Sequence, residues 1–162
     1  LERVISAVGE TEFNTCADLY CGSGVIGLSV AAEYPEKKFY GIEINESSIE
    51  DAKQNAAANG IENIEFFAGD ASSFMQKIPK EDSPSLVIVD PPRAGLSDKM
   101  REELIALSPE KVIYVSCNPQ TMARDVKDLG GAGYALVSAV PVNMFPMTKH
   151  VECVAVIRKN KK

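Results

Sequence analysis

The chain has 162 residues, of which 45% are hydrophobic and 25% are charged, which suits one soluble globular domain. Its apolar runs are too short to cross a membrane, and its formal net charge of −6 argues against tight binding of a polyanion by this chain alone. Its four cysteines form no CxxC pair and its single histidine, His150, has no zinc-ligand spacing, so we expect no metal site. We also expect reduced thiols, an intracellular, cytoplasmic location and a monomer.

Strand-like and helix-like segments alternate along most of the chain. Strands are predicted at Thr15–Tyr20, Lys38–Ile44, Ile64–Ala68, Ser85–Asp90, Val112–Ser116, Tyr134–Val142 and Val151–Arg158. Helices are predicted at Val25–Glu33, Ser47–Asn59, Ala71–Lys77, Asp98–Leu107 and Gln120–Leu129. The chain starts within a helical pattern and without an initiator methionine, so we expect a piece of a longer protein.

This alternation predicts an α/β fold with a doubly wound, mostly parallel, Rossmann-like sheet of about seven strands. No helix pattern separates the last two predicted strands, so the final strand is expected to be antiparallel, in a pair at one sheet edge. Ser47 and Glu50 match a capping box that would open the second helix, and Asn59-Gly60 would close it.

The loop after the first predicted strand has the pattern of a cofactor site. Gly22, Gly24 and Gly27 have the G-x-G-x-x-G spacing between a strand and a helix, which lets the backbone approach a ligand closely. Glu43 ends the second predicted strand, where a carboxylate can accept hydrogen bonds from both ribose hydroxyls. This pattern alone does not choose between a nicotinamide dinucleotide and S-adenosylmethionine.

Three features favour S-adenosylmethionine. Asp18 places a negative charge near the loop, which suits a sulfonium and an α-amino group better than a pyrophosphate. Asp70 follows the third predicted strand, where a carboxylate can accept from an adenine amino group. The expected edge hairpin also fits a methyltransferase sheet better than a dehydrogenase sheet. For Glu43 and Asp70 the alternative is a solvated strand end or a helix cap.

Two further strand ends carry candidate chemical groups. Asp90 ends the fourth predicted strand before a stiff Pro-Pro turn, and Arg93 offers a planar fork for a phosphate or carboxylate. Cys117 follows the fifth strand and precedes Asn118-Pro119, near a helix N-terminus where the dipole favours thiolate. The alternatives are a Pro-rich turn capped by Asp90 and a thiol that merely fills the core.

The last candidate segment is the loop before the final predicted strand. Its apolar residues, among them Phe145, suggest that it folds back over another part of the protein. Glu152 enters the final strand and can be carried to the cleft beside Cys117. His150 can act as an acid or base, although a lone histidine is more often a hydrogen-bonding turn residue.

Four segments together resemble the RNA 5-methyluridine methyltransferase family, and the resemblance runs from about Thr15 to Ile157. They are Asp18-Leu-Tyr-Cys-Gly-Ser-Gly24, Val89-Asp-Pro-Pro-Arg-Ala-Gly95, Val115-Ser-Cys-Asn-Pro119 and Asn143-Met-Phe-Pro-Met-Thr-Lys-His-Val-Glu152. The resemblance implies methylation of uridine C5 in transfer or ribosomal RNA, with S-adenosylmethionine as the methyl donor.

The resemblance also implies the roles of individual residues. Cys117 matches the nucleophile that attacks uracil C6, and Glu152 matches the base that removes the C5 proton from a flipped-out uridine. Donor-binding positions are predicted at Asp18, Tyr20, Gly22, Gly24, Glu43, Asp70 and Asp90. Substrate-binding positions are predicted at Arg93, Asn118, Phe145 and His150.

Residues 1–162 would then form the catalytic domain of a protein whose N-terminal RNA-binding domains, and a donor-contacting glutamine, lie outside this chain. Three alternatives stay open. The first is methylation of an exocyclic base amine through Asp90-Pro-Pro, although an aromatic residue usually takes the place of Arg93 in such enzymes. The second is a non-catalytic donor-binding module, and the third is a nicotinamide oxidoreductase.

Overall fold

The computed structural model describes residues 1–9, 12–74, 78–142 and 151–160. The helices are α1 (Glu2–Gly9), α2 (Val25–Glu33), α3 (Glu46–Ala58), α4 (Ala71–Phe74), α5 (Asp98–Leu107) and α6 (Pro119–Gly131). The strands are β1 (Thr15–Leu19), β2 (Lys38–Glu43), β3 (Ile64–Ala68), β4 (Leu86–Val89), β5 (Lys111–Ser116), β6 (Tyr134–Val142) and β7 (Glu152–Lys159). A 3₁₀ turn at Lys80–Asp82 precedes β4.

The strands form one sheet in the order β3-β2-β1-β4-β5-β7-β6. Neighbouring strands from β3 to β5 run parallel, and β7 runs antiparallel to both β5 and β6. The predicted fold class is therefore confirmed, including the antiparallel last strand. Because β7 lies between β5 and β6, the start of the final strand is next to the end of β5.

The sheet is buried on both faces, which explains why its central strands are continuous apolar runs. One face packs against α1, α2 and α3 and includes Cys16, Ile88 and Ile113. The other face packs against α4, α5 and α6 and includes Val87 and Val112. Within the described residues, no helix is long and apolar enough to span a bilayer.

Element boundaries agree with the predictions to within about two residues for most elements. The predicted capping box at the start of α3 is wrong, because Asn45 Oδ1 accepts hydrogen bonds from the backbone N–H groups of Ser47 and Ser48 at 3.0 and 3.4 Å. Asn45 is thus the N-cap, and the helix begins one residue earlier than predicted. The prediction for its end is confirmed, since Gly60 follows the helix with φ of +65°.

Helix α1 was predicted only as a helical pattern at the first residues, without bounds, and the 3₁₀ turn was not predicted. Helix α1 contributes the buried residues Val4, Ala7 and Val8, and the buried Lys111 ammonium donates to the Ala7 carbonyl. The 3₁₀ turn is too short to show a hydrophobic period. The predicted helix Ala71–Lys77 is described only as far as Phe74, and residues 75–77 lie outside the described chain.

Candidate active site

A cavity of about 870 Å³ lies at the carboxyl edge of the parallel strands. Asp90, Cys117 and Glu152 all line it, although the three residues belong to distant parts of the chain. The remaining wall comes from the start of α1, the start of α2 and the facing ends of β5, β6 and β7. The structure thus brings three of the predicted site residues to one opening.

The strand register explains why Cys117 and Glu152 lie together. Ser116 and Cys153 are the last paired residues of β5 and β7, so Cys117 and Glu152 occupy the next opposing positions. Val115 pairs with Val154, and both line the same cavity. Because side chains alternate between faces along a strand, all four side chains belong to one face of the sheet.

The backbone around Cys117 is held by a tight turn. The Ser116 hydroxyl accepts from the Asn118 backbone N–H at 3.0 Å and donates to the Asn118 carbonyl at 2.9 Å. Asn118 Oδ1 caps α6 by accepting from the Gln120 N–H at 3.2 Å, and Pro119 opens the helix. Cys117 is half-buried and lies immediately before this cap.

Asn118 was predicted to bind substrate, but both polar atoms of its side chain have protein partners. Besides capping α6, its Nδ2 donates to the Arg93 carbonyl at 3.0 Å. The Arg93 side chain is exposed on the loop after Asp90. A substrate-binding role for either residue stays a prediction, and Phe145 and His150 lie outside the described residues.

Asp90 lies between the glycine loop and Cys117 along the sheet edge. Its backbone N–H donates to the Leu19 carbonyl at 3.2 Å, which keeps it beside the end of β1. The cleft walls remove part of the hydration of its carboxyl group, and Glu152 adds a like charge, so the pKa of Asp90 is raised to about 6. Asp90 and Glu152 are therefore close enough to influence each other electrostatically.

Asp18 lies beneath the glycine loop and is fully buried. Its Oδ2 accepts from the Gly27 N–H at 2.8 Å, and its Oδ1 has no hydrogen-bond partner among the described residues. Burial, and to a smaller extent the charge of Asp90, raise the pKa of Asp18 to about 7 against the lowering effect of the Gly27 hydrogen bond. Near neutral pH the predicted negative charge is thus present in only part of the molecules, and a donor-binding role stays a prediction.

The glycine loop itself has the geometry of a ligand cradle. Tyr20, Gly22 and Gly24 all have positive φ, and a Cβ on Gly22 would have no other described atom within 4 Å. Gly24 is needed for packing, since its Cβ would lie 2.9 Å from the Phe66 ring. The backbone of Gly22 is therefore open to a ligand, whereas that of Gly24 faces the core.

The two remaining predicted carboxylates already bind neighbouring backbone. Glu43 accepts from the N–H groups of Gly22 at 3.2 Å and Asn45 at 3.0 Å, so it supports the glycine loop. Asp70 Oδ1 accepts from the Ser72 N–H and hydroxyl at 2.8 and 2.6 Å, which lowers the pKa of Asp70 and caps α4. The cap is thus present at Asp70, and its role toward adenine stays a prediction.

One buried polar residue of α6 was not among the predicted site residues. Asp125 on α6 is fully buried and accepts hydrogen bonds from the Leu96 N–H at 2.8 Å and the Tyr114 hydroxyl at 2.6 Å. Arg101 and Arg124 complete its shell. The helical spacing of the buried positions Met122, Asp125 and Leu129 could have identified it as an acidic residue on an apolar face.

Comparison with known proteins gives a consistent assignment. The model of the tRNA (uracil-5-)-methyltransferase family matches residues 1–160. An uncharacterized RNA methyltransferase of Caldanaerobacter subterraneus subsp. tengcongensis is 43% identical over 163 residues, which cover 98% of this chain and 35% of the relative. An uncharacterized RNA methyltransferase of Chlorobaculum tepidum is 41% identical over 157 residues, which cover 95% of this chain and 32% of the relative.

Solved structures agree with these relatives. The Pyrococcus abyssi tRNA (uracil-54, C5)-methyltransferase, crystallised with S-adenosyl-L-homocysteine, superposes with a TM-score of 0.80 at 35% identity and covers 96% of this chain and 37% of its own. TrmN from Thermus thermophilus superposes with a TM-score of 0.77 at 22% identity over 98% of this chain and 48% of its own, and supports the fold alone. The chain spans about a third of the length of the curated relatives named above.

Proposed function

The chain belongs to the tRNA (uracil-5-)-methyltransferase family, and we propose that the full-length protein transfers a methyl group from S-adenosylmethionine to C5 of a uridine in RNA. The observation that carries this proposal is the order of groups along one sheet edge. The glycine loop follows β1, Asp90 follows β4, Cys117 follows β5 and Glu152 begins β7, and these strands are adjacent in that order. The groups that we propose as donor site, nucleophile and base therefore lie side by side.

The donor side fits S-adenosylmethionine on its own geometry. Gly22 leaves its backbone open, and Glu43 keeps further lone pairs for ribose hydroxyls while it supports the loop. Asp90, between this loop and Cys117, would place a carboxylate near a sulfonium. We assign Tyr20, Gly22, Glu43, Asp70 and Asp90 to the donor, with Asp18 and Gly24 supporting the loop from below.

The residue types match the needs of uracil C5 chemistry. Bound S-adenosylmethionine supplies an electrophilic methyl group on sulfur. The Cys117 thiolate forms a bond to C6 of the uracil, and the C5=C6 electron pair becomes an enolate that makes C5 nucleophilic. After C5 has taken the methyl group, Glu152 removes the C5 proton. The electrons of that C–H bond restore C5=C6 and break the C6–S bond, which returns the thiolate.

The reaction needs two side chains, because one residue must hold C6 while another removes a proton from C5. The opposing register positions of Cys117 and Glu152 support this division of roles. With a net charge of −6, this chain offers RNA little electrostatic attraction, so we propose that other parts of the full-length protein hold most of the RNA. The family and the Pyrococcus enzyme support transfer RNA as the first substrate to test.

The direct test is to trap the covalent adduct. Full-length protein is incubated with S-adenosylmethionine and transfer RNA that contains 5-fluorouridine, whose fluorine cannot leave as a proton. We expect a denaturant-resistant complex with the native protein and none with Cys117→Ala. Cys153→Ala is the matched control, because Cys153 is a buried neighbour whose side chain packs on the other sheet face, and it should keep the adduct.

Other outcomes would favour the other functions. Methyl transfer without an adduct would refute the C5 mechanism and favour an exocyclic amine as the acceptor, bound through Asp90-Pro-Pro. Binding of S-adenosylhomocysteine by the full-length protein without any methyl transfer would favour a non-catalytic module. Tighter binding of NAD than of S-adenosylhomocysteine in calorimetry would refute the donor assignment.

A further inference from the structure

One face of helix α6 holds the loop that follows Asp90. The loop, residues 93–96, presents three carbonyls and one N–H group to this face. Asn118 Nδ2 and Thr121 Oγ1 donate to the Arg93 carbonyl at 3.0 and 3.2 Å. Arg124 Nη2 donates to the carbonyls of Ala94 and Leu96 at 3.0 and 3.1 Å. Asp125 Oδ2 accepts from the Leu96 N–H at 2.8 Å. We call these four side chains the α6 clamp.

Asp125 is the anchor of the α6 clamp. Its buried carboxylate joins four elements, because it lies on α6 and binds the loop at Leu96, strand β5 through Tyr114 and helix α5 through Arg101. The charge is balanced by Arg101 and Arg124, whose guanidinium groups lie 3.1 and 2.8 Å away. A charge buried with this many donors is held in one place, since any shift would leave several groups unsatisfied.

The loop sequence is matched to this anchor at Gly95. Gly95 has φ of +77°, and a Cβ there would lie 2.6 Å from Asp125 Oδ2 and 2.8 Å from Arg124 Nη2. Both the backbone conformation and the space therefore require glycine. The close approach of the loop to α6 depends on Gly95 from one side and on Asp125 from the other.

The α6 clamp connects two groups of the proposed reaction. Arg93, a predicted substrate-binding residue, begins this loop, and Cys117 lies one residue before the Asn118 cap that begins α6. We propose that Asp125 is a positioning residue that sets the placement of Arg93 relative to Cys117. This inference rests on the proposed function, because it concerns the adduct formed at Cys117.

The test uses Asp125→Asn in the full-length protein, with Asp128→Asn as the matched control. Asn keeps the size of Asp125 but replaces one acceptor oxygen by a donor that faces other donors. Asp128 lies on the same helix, is 44% exposed and forms an ion pair with Arg101, at 2.9 Å from Nε. Both variants thus lose one carboxylate charge beside Arg101, and only Asp125→Asn replaces a side chain of the α6 clamp.

We expect Asp125→Asn to lower the rate of adduct formation with 5-fluorouridine transfer RNA at saturating RNA by about tenfold or more, since small misplacements of reacting groups are costly. The affinity of Asp125→Asn for S-adenosylhomocysteine in calorimetry should change by less than about threefold. Asp128→Asn should keep the adduct rate within about twofold of the native protein, as expected for a surface ion pair. Gly95→Ala should reproduce the loss from the loop side, and the double variant should lose little more than either single variant.

The opposite results would overturn the inference. An Asp125→Asn adduct rate equal to that of Asp128→Asn would show that the α6 clamp does not position the reacting groups. A parallel loss of donor affinity and adduct rate would show that Asp125 only stabilises the fold. If Asp125→Asn fails to fold, Gly95→Ala decides the question by the same two measurements. Failure of the proposed function itself is distinct, because the native protein would then form no adduct.

Discussion

Asp18→Asn should change the pH dependence of stability. The Asp18 carboxyl has a pKa of about 7 in the folded chain against an ordinary value of 3.8. A carboxyl whose pKa is raised on folding binds its proton more tightly in the folded state, so stability is present at low pH and is lost as pH rises toward 7. The pKa difference corresponds to about 4 kcal/mol in total, at about 1.4 kcal/mol for each unit.

Between pH 5 and pH 8 the unfolded chain is ionised throughout at this position, whereas the folded chain loses its proton. The expected loss over this range is about 2.5 kcal/mol of unfolding free energy in the native chain relative to Asp18→Asn. Asn retains an acceptor for the Gly27 N–H, and its amide group replaces the Oδ1 that has no described partner. The variant should therefore gain stability relative to the native chain as pH rises.

Urea unfolding of this chain at pH 5 and pH 8 measures the difference. Asp51→Asn is the control, because Asp51 is exposed on α3 and its replacement should change stability by less than about 0.5 kcal/mol at either pH. A difference between Asp18→Asn and the native chain that stays constant from pH 5 to pH 8 would refute the reasoning, since it would mean that burial does not hold a proton on Asp18.

Further predictions concern the candidate site and two helical glycines. Glu152→Gln should form the adduct with ordinary uridine RNA but release it about 10²- to 10⁴-fold more slowly, and single-turnover quenching measures this rate. Absence of the adduct would mean that Glu152 is needed before proton removal. In the same variant, the pKa of Asp90 should fall from about 6, because the like charge that raises it is removed, and an NMR titration that shows no fall would contradict their proximity. Gly27→Ala should destabilise the fold by about 1–3 kcal/mol, since its Cβ would lie 2.7 Å from Asp18 Oδ2. Gly130→Ala, in an open position of α6, should stabilise it by about 0.5–1 kcal/mol, and similar melting temperatures for the two variants would contradict the close packing at Gly27.

Local patterns predicted the elements well, and they failed where two local signals competed. Hydrophobic runs and turn residues located the strands to within about two residues for most elements. At the start of α3, Ser47-x-x-Glu50 and Asn45 are both plausible caps, and spacing alone favoured the wrong one. Asn45 is the cap because its short side chain reaches two free N–H groups in the extended conformation before the helix.

The candidate site was predicted as separate strand ends, and the sheet order decided which of them meet. Cys117 and Glu152 are 35 positions apart in the numbering. They share a cavity because β7 inserts between β5 and β6 with a register that opposes the two residues. No local pattern in either segment states this pairing, since it depends on contacts between distant strands.

By itself, the sequence determined the features that are written in neighbouring residues. These are the alternation of elements, the positive-φ glycines of the glycine loop and the proline that begins α6 after Cys117. Only the tertiary structure decided that Asp18 is a buried carboxyl with a raised pKa and that Asp125 joins four elements. The physical reason is that burial and hydrogen bonding depend on atoms that the fold brings together, and the same aspartate is a solvated charge or a buried anchor according to those neighbours.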